Sequence, residues 1–153
     1  KPIHMQSADE QNTPLKVSDM YLDIGAKNKE EAEAFIYIIE GDAVLLYAHD
    51  TGYFYEETLH YIQEKKLRFD LVSFDCTNVD IEISDKGGHM GLPNIRRLDK
   101  ALAEMGAVDE KTVKIINHFS HNARPIQSVL EEKVKDDSYL VAYDGMAIEF
   151  GNK

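Results

Sequence analysis

The stretch Ala43-Val-Leu-Leu-Tyr-Ala-His-Asp50-Thr-Gly52 decides the fold of this chain. Its continuous apolar run is typical of a strand that lies inside a sheet covered by helices. Asp50 follows the end of that run, and His118 follows a second apolar run at positions 113–116. A carboxylate and an imidazole held at the carboxyl ends of sheet strands are preorganised ligands for a divalent cation. The sequence therefore predicts candidate metal ligands at one edge of a sheet.

Strand and helix patterns alternate along the chain from Phe35 onward. Alternating strands and helices predict an α/β fold in which a sheet is covered by helices. Asp144-Gly145 separates the last two apolar runs and predicts a hairpin with a type I′ turn. The expected strands are 35–39, 43–48, 71–74, 113–116, 139–143 and 146–150, and the expected helices are 55–66, 93–106 and 125–134. Residues 77–90 have no sustained period and predict a long loop.

Length and composition limit the class of protein. The chain has 153 residues, with 43% hydrophobic and 29% charged residues, which suits one soluble domain. A net charge of −11 disfavours binding to a phosphate backbone, so we expect no nucleic-acid partner. No apolar run approaches the ~20 residues that span a bilayer, and no signal peptide opens the chain, so we expect no membrane partner and a cytoplasmic location. Cys76 lies in an apolar stretch and predicts a buried structural thiol.

The first third of the chain has a different sequence pattern from the rest. Residues 1–12 are polar and turn-rich, residues 20–24 form a possible short strand, and residues 29–34 have a helical pattern. This segment has little apolar surface for a core of its own. The composition changes near Ala34, so the sequence divides into an N-terminal segment, 1–34, and a domain, 35–153.

Each candidate ligand also has an ordinary structural explanation. Asp50 precedes Thr-Gly and suits an Asx-type turn, and His118 and His121 suit a loop whose imidazoles bond to backbone carbonyls. His49 should point to the face opposite Asp50, where packing is favoured over ligation. His89 follows Gly87-Gly88, and glycines let a backbone approach a ligand closely before a helix begins.

Five pieces of the sequence occur in an order that resembles a known family. From about residue 35 to residue 150, the chain resembles the carboxy-terminal half of metallo-β-lactamase-fold metallohydrolases. It is most similar to phosphodiesterases that act on phosphoribosyl cyclic phosphates, and ribonuclease Z is more distant. The pieces are Leu46-Tyr-Ala-His-Asp50-Thr-Gly52, Phe69-Asp-Leu-Val-Ser-Phe-Asp75-Cys-Thr77, Gly88-His-Met-Gly-Leu-Pro93, Asn117-His-Phe-Ser-His-Asn122 and Val141-Ala-Tyr-Asp-Gly-Met146.

The resemblance implies half of an αββα sandwich and a metal-dependent hydrolase of small phosphodiesters. It implies that Asp50 bridges two metal ions, that His118 is a histidine ligand, and that His89 protonates the leaving oxygen. It also implies that His121, Asp75 and Gly88 support the ligands or orient the substrate. Such a site would hold Zn²⁺ or Mn²⁺.

The chain departs from this family in one respect. The H-x-H-x-D-H run that supplies most of the family's ligands is absent, so we expect the site to be incomplete in one chain. Half of a sandwich would also expose an apolar sheet face, which predicts a homo-oligomer or a complementing chain.

Two other functions stay open at this point. One is a non-catalytic interaction or scaffold domain that retains part of a metal site. The other is a peptidase-related module, because residues 1–33 resemble a segment of M42-type glutamyl and leucyl aminopeptidases. That segment of the family contains no catalytic group, so the second resemblance transfers no site residue.

Overall fold

The computed structural model describes residues 35–121 and 126–151. These residues form an α/β fold with three helices and one mixed sheet of five strands. The elements, in chain order, are β1 (Tyr37–Glu40), β2 (Val44–Ala48), α1 (Glu56–Glu64), β3 (Leu71–Asp75), α2 (Leu92–Glu104), β4 (Val113–Asn117), α3 (Gln127–Val134) and β5 (Leu140–Val141). The predicted boundary near Ala34, the strand and helix expected before it, and the first residue of the third expected helix lie outside the described residues.

The order of the strands in the sheet is the order of the strands in the chain. β1 pairs antiparallel with β2, and β2, β3, β4 and β5 pair in parallel. Each parallel pair is joined through one helix, and every such step moves in the same direction across the sheet. Crossovers of this kind are almost always right-handed, which places all three helices on the same face of the sheet. One buried cluster joins residues of all three helices to that face. The core lies between that face and the helices and includes Leu46, Val72, Phe74, Ile116, Ile62, Leu98 and Leu130.

The helix α2 carries the clearest local signals. Pro93 lies in its first turn, and Gly106 follows its end with a φ of 76°. Proline suits a first turn because that turn needs no amide donor, and glycine suits a left-handed position after a helix. Ile95, Leu98 and Leu102 recur at helical spacing and are fully buried. The prediction of a helix between Pro93 and Gly106 is confirmed.

The other face of the sheet, here called the open face, carries the alternate side chains of the strands. Two of them, Tyr47 and Leu140, are 40% and 44% exposed, whereas Leu71 and Ile115 are 5% and 9% exposed. Among the described residues, no helix lies on this face. The C-terminal segment, residues 142–151, supplies part of its cover, because several residues of this segment line one cavity together with Ile115 and His118.

The C-terminal segment crosses the open face. It begins after β5, and its last described residue, Gly151, lies against Ala43 beside β2. A Cβ placed on Gly151 would lie 2.8 Å from the Cβ of Ala43. The segment therefore passes over the central strands and leaves the outer parts of the open face exposed.

The predicted hairpin after β5 is wrong. Met146 donates its backbone N–H to the carbonyl of Tyr143 at 3.0 Å, which closes a turn. Of its two central residues only Gly145 has a positive φ, 85°, whereas a type I′ turn needs two. Residues 146–150 then pair with no strand of the described chain. Met146 and Ile148 are half-buried while the residues between and after them are exposed, so packing on the sheet face, and not strand pairing, explains the apolar alternation.

Two further expectations can be compared with the structure. The loop predicted at 77–90 contains neither a helix nor a strand. Among the described residues, no helix has both the length and the apolar character that crossing a membrane would require.

We expect Cys76 to be unreactive in the folded chain. Its side chain is fully buried, and burial, assisted by the nearby charge of Asp75, raises the pKa of its thiol to about 12. At pH 8, alkylation by iodoacetamide should be roughly a thousandfold slower than for an ordinary thiol, because only the thiolate reacts. Mass spectrometry of timed samples measures the rate, and the urea-unfolded chain provides the reference. Rapid labelling of the native chain would show that this part of the core is not closed.

Candidate metal centre

Three predicted site residues meet at the carboxyl edge of the sheet. Asp50 follows β2, His118 follows β4, and His89 lies at the end of the long loop before α2. One donor atom from each lies within 4.8 Å of the others. His89 Nε2 is 3.7 Å from Asp50 Oδ1, and the rings of His89 and His118 stack with centroids 5.5 Å apart. We call this group the three-donor cluster.

A buried carboxylate contacts the Nδ1 side of both His89 and His118. Asp75, the last residue of β3, is fully buried, and its Oδ2 lies 3.0 Å from Nδ1 of His89 and 3.0 Å from Nδ1 of His118. Its other oxygen, Oδ1, accepts the backbone N–H groups of Thr77 at 3.0 Å and Met90 at 3.3 Å. Both oxygens therefore have donors, which a buried carboxylate requires.

This arrangement favours one tautomer of the two histidines, with the proton on Nδ1. A neutral imidazole that faces a carboxylate through Nδ1 carries its proton on that nitrogen. The Nε2 atoms of His89 and His118 are then left with free lone pairs. A free Nε2 lone pair is the form of histidine that binds a metal ion, and the carboxylate on the Nδ1 side fixes the orientation of the ring.

Thr77 is a site residue that the sequence did not indicate. Its hydroxyl donates to the carbonyl of His118 at 2.8 Å and lies 3.2 Å and 2.9 Å from Nδ1 of His89 and of His118. The hydroxyl thus contacts both imidazoles from the same side as Asp75. Its position in Asp75-Cys-Thr77, just after a buried strand, was the available signal, but threonine is too common after strands to single it out.

Two contacts place the loop that carries His89. Gly52, two residues after Asp50, lies so close to Gly87 that a Cβ on Gly52 would overlap the Gly87 carbonyl oxygen. At the start of α2, the buried side chain of Asn94 accepts the N–H of Ile83 at 2.9 Å and donates to the carbonyl of the same residue at 2.7 Å. The first contact brings His89 towards Asp50, and the second holds the loop to the helix. Asn94 was also missed from the sequence, since its partners are eleven residues away.

Two donors of the cluster have unusual backbone conformations. Asp50 has a φ of 53° and His118 has a φ of 61°. The left-handed region is uncommon for residues other than glycine, and such residues concentrate at functional sites. Both lie one or two residues beyond a strand, so the chain turns sharply there and directs both side chains towards one point.

The remaining histidines have different surroundings. His49 is 7% exposed, its Nε2 lies 2.7 Å from the hydroxyl of Ser73, and its ring packs on Tyr47 with centroids 4.0 Å apart. These contacts agree with the expected packing role. His121 is exposed and lies outside the three-donor cluster. Gly88 is exposed beside His89, and a Cβ there would meet no atom within 4 Å.

The donors of the cluster suit a divalent cation. One carboxylate and two imidazoles supply one oxygen and two nitrogens, and catalytic zinc sites commonly have three protein ligands and one open position. Asp50 and the two imidazoles are partly exposed, with side-chain exposures of 69%, 37% and 39% for Asp50, His89 and His118, so a substrate can reach them. The residues present therefore fit one cation.

Neither protein-family models nor curated proteins gave a match to this chain. The candidate metal centre is therefore inferred from the arrangement of the chain's own residues.

We expect Gly52→Ala to separate the two loops that carry Asp50 and His89. The added methyl group would overlap the Gly87 carbonyl, so the backbone must move. We expect a loss of stability of about 1–3 kcal/mol. Chemical unfolding measures this loss, and NMR chemical shifts of His89 report the displacement. Gly41→Ala is the matched control, because a Cβ at Gly41 meets nothing within 4 Å; equal effects of the two substitutions would contradict the close contact.

We expect the metal-free chain to lose stability in mild acid through His49. Burial, and then repulsion from His118, lowers the pKa of His49 to about 4. The unfolded chain protonates this residue below about pH 6.5 and the folded chain only below about pH 4, so the unfolded state binds more protons in that window. The free energy of unfolding should fall by up to about 3 kcal/mol as the pH falls from about 6.5 to about 4.

Urea unfolding at a series of pH values measures this dependence. His49→Gln should flatten the part of the curve between about pH 4 and about pH 6.5, because glutamine does not titrate. A variant curve as steep as that of the wild type would show that other groups cause the acid sensitivity.

Proposed function

We propose that this chain is a metal-dependent hydrolase that acts on small phosphodiesters and binds a divalent cation through Asp50, His89 and His118. The observation that carries this proposal is the convergence of these three donors in front of one buried carboxylate, that of Asp75. An exposed acidic cluster is common without any function. Two histidines whose Nδ1 atoms share one fully buried carboxylate are a more specific arrangement, because it prepares both Nε2 atoms for a metal ion.

The geometry supports His89 as a third ligand. Its Nδ1 faces Asp75 in the same manner as that of His118, and its Nε2 points towards Asp50 at 3.7 Å. A neutral His89 with its proton on Nδ1 has no proton on Nε2 to donate to a leaving oxygen. The role of proton donor, which the family resemblance implies, would require the imidazolium form.

The chemistry that follows is hydrolytic. Asp50, His89 and His118 would hold a Zn²⁺ or Mn²⁺ ion, which would supply a Lewis acid for the phosphoryl oxygens and would lower the pKa of a water molecule. The chain's own residues fix the geometry: Asp75 and Thr77 hold the two imidazoles, and the contact of Gly52 with Gly87 holds Asp50 beside them. The choice of a phosphodiester as substrate is supported by the sequence resemblance to phosphodiesterases.

A partner chain is part of the proposal. The three donors are sufficient for one cation, and a second cation would need donors beyond those that the described residues bring together; the proposal takes them from a second copy or from a complementing chain. The exposed parts of the open face, around Tyr47 and Leu140, are the surface on which such a chain would pack. The same exposure favours a second candidate function, that of a non-catalytic interaction domain which keeps the three-donor cluster.

We expect the wild-type chain to bind about one Zn²⁺ and to hydrolyse bis(p-nitrophenyl) phosphate when the metal is present. Asp50→Ala and His118→Ala should each weaken zinc binding by at least about tenfold and abolish turnover, because each removes one of three donors. Isothermal titration calorimetry and p-nitrophenol release are the two measurements. His60→Ala, an exposed histidine on α1, is the control and should change neither.

Two outcomes separate the candidate functions. Stoichiometric zinc without turnover would favour the interaction domain with a structural metal. A well-folded chain that binds no zinc would contradict the metal centre itself.

A further inference from the structure

The side chain of Arg97, on α2, contacts both loops that carry donors of the three-donor cluster. Its guanidinium carbon lies 4.6 Å from the centre of the ring of Tyr53, which follows Asp50 by three residues in the loop after β2. The same guanidinium forms an ion pair with Asp85, which precedes His89 by four residues in the loop before α2. One side chain therefore connects the two loops.

The loop before α2 is held to the same face of the helix at a second point. Asn94 precedes Arg97 by three residues, so the two side chains leave α2 on one face. Asn94 exchanges two hydrogen bonds with the backbone of Ile83, and Nη1 of Arg97 lies 3.8 Å from a carboxylate oxygen of Glu82. Together with the ion pair to Asp85, these contacts fix residues 82–85 to the helix.

The contacts of Arg97 lie on either side of the close approach between the two loops. Tyr53 adjoins Gly52, and Asp85 is two residues from Gly87, whose carbonyl oxygen lies against Gly52. Two glycines bring no side chain to this approach, so few atoms attract one another across it. Arg97 adds a cation–π contact on one side and ion pairs on the other. The guanidinium therefore supplies attraction where the glycines supply little.

We propose that Arg97 is a positioning residue of the candidate metal centre, which joins the two loops and so holds Asp50 and His89 at the separation that one divalent cation requires. This inference rests on the proposed function for the cation itself. Arg97 acts through the loops and not on the metal ion. Without its guanidinium the two donors are free to separate, and a cation must bring them together again when it binds. The third donor, His118, follows β4 and belongs to neither loop.

The first test measures zinc binding by the whole chain with isothermal titration calorimetry. Arg97→Ala should raise the Kd for Zn²⁺ by about tenfold, in the range seen when groups that orient metal ligands are removed. Arg96→Ala is the matched control, because Arg96 is the next residue of the same helix and is also exposed and ion-paired. Its partners in the described part of the chain, Asp137 and the Lys133 carbonyl, belong to neither loop. An effect on stability alone would appear in both variants, whereas an effect on the metal centre appears only in Arg97→Ala.

A second variant follows the contact from the side of the loop. Asp85→Asn keeps the shape of an exposed side chain and removes the charge that Arg97 contacts, so it should raise the Kd for Zn²⁺ by about threefold. When Asp85→Asn is combined with Arg97→Ala, zinc should bind no more weakly than to Arg97→Ala alone, because both changes remove the same contact. Fully additive losses would contradict the route through Asp85.

The third measurement needs no metal ion. A Cβ placed on Gly52 would lie 3.8 Å from the backbone nitrogen of Gly88, so a Gly52 Hα and the Gly88 amide proton are close enough for a nuclear Overhauser effect. NMR of the metal-free wild-type chain should show this effect. It should disappear in Arg97→Ala, because the loops separate, and it should persist in Arg96→Ala.

The inference and the proposed function can fail separately. Equal zinc affinities of Arg97→Ala and Arg96→Ala would overturn the inference, and so would a Gly52–Gly88 Overhauser effect that persists in Arg97→Ala. Neither result would affect the proposed function, which Asp50→Ala and His118→Ala test. A wild-type chain that binds no zinc would instead overturn the proposed metal centre. The Overhauser comparison would then decide by itself whether Arg97 holds the two loops together.

Discussion

The carboxylate of Asp75 connects the three parts of the chain that form the candidate metal centre. Asp75 ends β3, and its Oδ2 lies 3.0 Å from Nδ1 of His118, which follows β4. It also forms hydrogen bonds with His89 Nδ1 and with the Met90 amide, both from the loop before α2. A fully buried carboxylate is costly unless donors surround it, so each of these contacts stabilises the others. The long loop therefore has a defined end at the sheet, even though it contains no helix or strand of its own.

The backbone arrangement of the sheet already brings the residues of the candidate metal centre to one edge, independently of their side-chain contacts. β2, β3 and β4 are parallel neighbours, and Asp75 pairs in register with Asn117, so the residues that follow the three strands share one edge. The left-handed conformations of Asp50 and His118 then turn the chain back towards that edge. Strain of this kind costs about 1–3 kcal/mol per residue and persists where neighbouring contacts hold it. The parallel strands and the Asp75 carboxylate provide those contacts.

The strands and helices of the central fold could be predicted from the sequence, because each depends on a local pattern. Apolar runs predicted β2, β3 and β4, and helical spacing between Pro93 and Gly106 predicted α2. The sequence named Asp50 and His118 as metal ligands and His89 as a proton donor, but it gave neither their distances nor the placement of His89 as a third donor. Thr77 and Asn94 were missed because their roles depend on hydrogen bonds to residues 11 to 41 positions away. No local pattern contains that information.

The residues after β5 give a second example, in which a local pattern was present but predicted the wrong structure. Apolar and polar residues alternate in this segment, and the pattern predicted a strand. Such alternation indicates only that one side of a segment is buried. Here the burying surface is the open face of the sheet, where the segment lies beside Ile115 and no helix of the described residues supplies a cover. Burying one such side chain contributes about 1.5–3 kcal/mol, which exceeds the contribution of about 0.5–1.5 kcal/mol from a typical hydrogen bond. Packing of this segment on the open face therefore competes well with its pairing to the edge of a strand. The cavity beside His118 is the space that this irregular cover leaves unfilled.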